Sequence, residues 1–131
     1  MIETISPDLF RIEITLPDSP LKSINAYLIK GRDRHLLIDT GFKQKECLAA
    51  MNSALNELGI TMDSIDIFIT HLHPDHIGLV PELARNGTRV FFNRPDAEIL
   101  RANEGFDPMV AYSHQNGYVE DRLCDVFESY P

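Results

Sequence analysis

Residues 65–76 run from a short apolar strand, Ile65 to Thr70, straight into the polar hexapeptide His71-Leu72-His73-Pro74-Asp75-His76. A helical pattern follows from about residue 77 to 85, and Asn86-Gly87 closes it. The order strand, polar loop, helix limits the chain to folds that hold such a loop at the C-terminal end of a buried strand. That is where α/β proteins gather their ligands. Three of the chain's five histidines fall inside the hexapeptide, a density that core packing does not call for.

The rest of the chain supplies the sheet and helices around this loop. Leu9 to Leu16 alternates, with Phe10, Ile12, Ile14 and Leu16 on one side and Leu9, Arg11, Glu13 and Thr15 on the other; this predicts a half-buried strand. Pro17-Asp18-Ser19-Pro20 breaks it. Residues 24–29 and 35–39 read as a hairpin around Gly31-Arg32-Asp33. Leu36-Leu37-Ile38 is expected to be buried on both faces. Cys47, Leu48, Met51, Ala54, Leu55 and Leu58 recur at helical spacing until Gly59. Residues 88–92 form one more strand, so a strand meander leads into a βαβαβ unit. Beyond Asn93 the pattern predicts one helix entered through Arg94-Pro95-Asp96 and another over 119–127, with 105–117 left open. The whole reads as a single domain, with 1–93 carrying the histidines and 94–131 a helical segment.

The spacing of the hexapeptide suits a metal. His71 and His73 are two apart, so in extended backbone both imidazoles face the same side. Pro74 turns the chain, and Asp75 and His76 then face back with one carboxylate and one imidazole. This donor set suits zinc, and also iron or manganese. Asp75 alone would serve as a helix cap, a reading that leaves the three histidines unexplained. Gly78 permits close backbone approach at the helix start.

The pattern His71-x-His73-x-Asp75-His76 after an apolar strand resembles the signature of the metallo-β-lactamase superfamily. Asn25-Ala26-Tyr27-Leu28-Ile29 and Leu36-Leu37-Ile38-Asp39-Thr40-Gly41, about thirty residues upstream, match a second family element. The resemblance runs from roughly residue 8 to 100. It implies an αββα sandwich of two sheets between helix layers, with two metal ions at one edge. His71 and His73 would bind the first ion, and Asp75 and His76 the second. Asp39 would support the histidines from behind, although by itself it also reads as a strand-end turn residue. Implied as well is hydrolysis of an ester, thioester, lactone or similar bond by metal-bound hydroxide, with Asp75 as the catalytic carboxylate that orients it. Oxygen-reducing di-iron relatives usually carry Glu at the position of His73, so the histidine favours the hydrolases.

The family's later ligands have no clear counterpart. Only His114 follows His76, in Ser113-His114-Gln115-Asn116, which lacks the expected Gly-His context; it is a candidate extra ligand beside the commoner reading of an exposed loop histidine. The chain is therefore expected to hold the N-terminal half of the sandwich plus a helical insert, with an incomplete site. A sheet face left without its partner would then favour a homo-oligomer, which sedimentation as a stable monomer would contradict. A non-catalytic metal-binding or assembly module is the alternative.

Composition narrows the partners. Twelve Lys and Arg against twenty Asp and Glu give a net charge of −8, which disfavours nucleic acid and anionic membrane surfaces. No run approaches the roughly 20 apolar residues of a membrane helix, and Met1-Ile2-Glu3-Thr4 does not open like a secretory signal. A cytoplasmic protein acting on a small molecule is expected. Cys47 and Cys124 are too few for a disulfide framework or a Cys-rich zinc site, and Cys47 reads as a buried hydrophobe.

Overall fold

The computed structural model describes residues 1–17 and 19–102. The expected helix at 119–127, the open segment 105–117, Cys124 and His114 lie outside the described residues. The chain divides into two compact units, 1–93 and 94–131.

In the first unit six strands form one sheet in chain order: β1 (Ile2–Ser6), β2 (Leu9–Thr15), β3 (Ser23–Ile29), β4 (His35–Ile38), β5 (Ile65–Ile69) and β6 (Val90–Phe92). Strands β1 to β4 pair antiparallel, while β4, β5 and β6 run parallel. Helix α1 (Lys45–Glu57) makes the first parallel crossover. The short helices α2 (Pro74–Ile77) and α3 (Val80–Leu83) make the second. In the second unit α4 spans Arg94–Ala102, with Pro95 in its first turn.

The β2 alternation holds: Phe10, Ile12, Ile14 and Leu16 are buried. They join Ala26 and Leu28 of β3, Leu37 of β4 and Ile65, Ile67 and Ile69 of β5 on one sheet face. Cys47, Met51, Ala54 and Leu55 of α1, with Leu79 and Leu83, complete this core, and α1 packs on β2. The amphipathic spacing of α1 buries its apolar stripe.

Three expectations change. The helix expected over 77–85 is two short helices, because Pro81 has no N–H to offer Ile77 and its ring crowds that carbonyl. The chain resets at Leu79, and α3 begins one residue later. Strand β1 is an addition; its residues are mostly exposed and carry no clean alternation. The third change concerns the far sheet face. Leu36 and Ile38 are only half-buried, and Phe68 is 41% exposed. Arg11, Tyr27, Ile38, Phe68 and Phe91 stand side by side across five strands, and Ile29 and Phe91 are exposed too. A ladder of this kind is what one sheet of a sandwich shows on its inner side; a second sheet is not among the described residues.

At the end of β5 remote from the histidines, Asp66 fixes the parallel register. Its buried carboxylate accepts Arg34 Nε at 3.0 Å, Arg89 Nε at 2.9 Å and the Arg89 backbone N–H at 3.1 Å. Arg34 also donates to the carbonyls of Asp63 and Ile65. The bonds from Arg89 and Arg34 outweigh burial and hold the Asp66 carboxyl below its usual range. Asp66→Ala is expected to lower stability at pH 7 by about 2 kcal/mol, less than a fully buried pair would because both arginines reach water. A carboxyl with a depressed folded pKa stabilises above its unfolded value of 3.8 and loses that contribution as pH falls through the folded one. The gap between wild type and variant, measured by urea unfolding, should therefore shrink below pH 3.8. A gap that stays constant into acid would refute this role.

Candidate metal centre

The ends of the parallel strands β4 and β5 are tied together by one side chain. Asp39, directly after β4, is 5% exposed and has φ +60, a left-handed conformation that Asp tolerates better than most residues. Its backbone N–H donates to the Phe68 carbonyl at 2.9 Å. Its carboxylate accepts the Thr70 N–H at 2.9 Å, the Thr70 hydroxyl at 2.8 and 3.0 Å, and His76 Nδ1 at 2.8 Å. Burial raises the Asp39 carboxyl, but the bonds from His76 and Thr70 outweigh it and hold the pKa below the usual value. The same bond to Asp39 raises His76 against the opposing effect of its burial.

Thr40 and Gly41 hold the other side of the loop. The Thr40 N–H and hydroxyl both donate to the His76 carbonyl, at 2.8 and 2.7 Å, and Leu79 N–H donates to Thr40 Oγ1 and to the Gly41 carbonyl. Gly41 has φ +135, and a Cβ there would press on Ile14 at 3.1 Å and Leu79 at 3.2 Å, so the position takes glycine for both conformation and space. His73 caps α2 with extended backbone and Pro74 fills its first position, which leaves the His73 side chain out of the helix.

The imidazoles converge. His71 Nε2 lies 2.9 Å from His73 Nδ1, and the His71 ring centroid lies 4.4 Å from that of His73 and 4.1 Å from that of His76. His76 Nε2 is 3.6 Å from Asp75 Oδ2. In the neutral His76 ring, the bond from Nδ1–H to Asp39 leaves the lone pair on Nε2, the nitrogen beside Asp75. Burial, then the neighbouring His76 and His73, lower the pKa of His71 and favour its neutral, donor form.

Imidazole and carboxylate are donor types that zinc, iron and manganese all accept. Two nitrogens bound at about 2.0–2.1 Å in a near-tetrahedral shell stand roughly 3.3 Å apart, so the His71–His73 pair needs only tenths of an ångström to open around one ion. Among the described residues, however, no group of three or more His, Cys, Asp and Glu is arranged to hold an ion. The side chains stand as two pairs, His71 with His73 and Asp75 with His76. His71, His73, Asp75, His76 and Asp39 are all brought to this one edge. Sequence reasoning gave no role to Thr70, and named Thr40 only as part of the Asp39-Thr40-Gly41 element; their signal was a hydroxyl at the end of each of the two strands.

The fold and site together define a mixed α/β protein with imidazole and carboxylate groups gathered where a parallel strand ends. The chain belongs to the metallo-beta-lactamase superfamily, whose sequence profile matches residues 20–115. It is 34% identical to the lactamase-like protein ptaB of Pestalotiopsis fici, over 97% of this chain and 43% of that protein. It is 27% identical to an atrochrysone carboxyl ACP thioesterase of Emericella nidulans, over 97% of this chain and 43% of the relative. Among solved structures it resembles a metallo-beta-lactamase family protein from Thermus thermophilus, with TM-score 0.71, 27% identity, and 92% of this chain against 42% of that one. The chain thus spans about two fifths of the length of these relatives. Among the described residues no helix is long and apolar enough to cross a membrane.

Proposed function

We propose that this chain carries the first half of a dinuclear, zinc-type hydrolase site, and that the site acts on an ester, thioester or lactone bond of a small or carrier-bound molecule. The observation that carries the reading is the convergence of His71 Nε2 and His73 Nδ1, 2.9 Å apart, at the end of β5. His71 and His73 would hold one ion, Asp75 and His76 the other; by donor type alone the pairs accept zinc, iron or manganese. Such ions, when bound, supply Lewis acidity to water and to the attacked carbonyl.

The chain's own residues do the rest. Asp39 holds the His76 ring so that Nε2 is the free nitrogen, and Asp75 Oδ2 stands beside it to orient water and take up its proton. The remaining donors would come from beyond the described residues, with His114 one candidate. The thioesterase among the relatives favours a thioester. A reduced, cytoplasmic setting suits the free thiol of buried Cys47. The exposed Ile29, Phe68 and Phe91 on the far face support the alternative of an assembly module, and this face is the surface through which copies of the chain would associate.

The two readings separate in one assay: zinc-loaded chain against an acyl-pantetheine thioester. Turnover that disappears with chelator and in His73→Ala supports the hydrolase. Turnover that survives His73→Ala removes it, and zinc binding without turnover leaves the metal-binding module.

A further inference from the structure

Thr70 does not belong to the donor set, yet its hydroxyl sits between two members of the site. Thr70 Oγ1 lies 2.8 Å from Asp39 Oδ2, 3.0 Å from Asp39 Oδ1 and 2.9 Å from His71 Nδ1. A hydroxyl has one proton, and an ionised carboxylate can only accept. The proton therefore lies toward Asp39, and the oxygen lone pair faces the imidazole. Were it directed at His71 instead, the hydroxyl oxygen would face both carboxylate oxygens without a hydrogen between them.

We propose that Thr70 is a positioning residue that sets the tautomer of His71: its hydroxyl donates to Asp39 and accepts a hydrogen bond from His71 Nδ1–H, so that the lone pair lies on Nε2, which accepts from His73 Nδ1–H in the metal-free chain and would face a cation once one binds. The inference rests on the reading of His71 as a metal donor. One carboxylate, Asp39, then fixes two imidazoles, His76 directly and His71 through Thr70. The backbone supports the arrangement, because the Thr70 N–H is held by the same carboxylate at 2.9 Å, which leaves the side chain little freedom. Serine offers the same hydroxyl; valine has the same shape without it.

The test reads the tautomer directly, by long-range ¹H–¹⁵N correlation of the histidine rings in the metal-free chain, on wild type, Thr70→Val and Thr70→Ser. Expected are an Nδ1–H ring for His71 in wild type and in Thr70→Ser, and a shift toward Nε2–H in Thr70→Val. Zinc affinity should fall by about tenfold in Thr70→Val and recover in Thr70→Ser, the lower end of the range for groups behind a ligand. An Nε2–H ring in wild type overturns the proposal, and so does an unchanged Nδ1–H ring in Thr70→Val. Should Thr70→Val not fold, wild type and Thr70→Ser decide it, since an Nε2–H ring in either overturns it. The tautomer is read without zinc, so a chain that takes up no zinc overturns the metal reading separately.

Discussion

Alanine in place of Gly78 is expected to lower stability by about 3 kcal/mol or more, at or above the usual cost of overpacking. A Cβ at Gly78 would lie 2.5 Å from the Pro74 carbonyl oxygen, 2.7 Å from the Gly41 carbonyl oxygen and 2.7 Å from the Lys43 nitrogen. All three are backbone atoms, so no side-chain rotamer can relieve the overlap. The backbone that must move is the same segment that seats the His71–His76 turn against Thr40 and Gly41. Thermal unfolding should show a midpoint lower by roughly 10 °C or more for a domain of this size. A midpoint unchanged within error would mean that the turn is held by something other than this close packing.

The second large effect belongs to Asp39, and two substitutions there should diverge. Asp39→Ala leaves the Thr70 N–H without its acceptor and His76 Nδ1 without its partner, and it puts alanine at φ +60. Together these should cost about 3–5 kcal/mol. Asp39→Asn tolerates the same φ, and its amide oxygen can still accept the Thr70 N–H, so a folded protein is expected. What asparagine cannot do is accept from both Thr70 and His76. Its NH₂ group would face His76 Nδ1 and favour the opposite tautomer, turning the Nε2 lone pair into an N–H. Zinc affinity should therefore drop by about 10- to 100-fold in Asp39→Asn while the fold stays intact. Full zinc affinity in that variant would show that Asp39 only braces the backbone.

Much of this architecture was legible because single elements carry their own signal. The β2 alternation and the α1 stripe each state which face is buried, and the core follows them. The hexapeptide was legible for a different reason: its side chains serve no packing role, so their type and spacing point directly to chemistry. The break at Pro81 follows from the missing N–H, but the periodic residues on either side mask it. The exposure of Phe68 and Phe91 is a tertiary fact. An apolar strand reads as buried whether or not the described residues include what covers it. Thr70 and Thr40 were harder still, since a β-branched residue at a strand end is ordinary. Their roles depend on Asp39 and His76, more than thirty residues away along the chain.

Whether His71, His73, Asp75 and His76 are metal donors decides the rest. Zinc titration of the purified chain against a chromophoric chelator, beside a His71→Ala/His73→Ala variant, tests this most directly. Wild type is expected to withdraw zinc from the chelator, and the double variant to lose this capacity while keeping the same secondary structure by circular dichroism. Equal zinc uptake by the two proteins, or none by wild type, would contradict the metal centre.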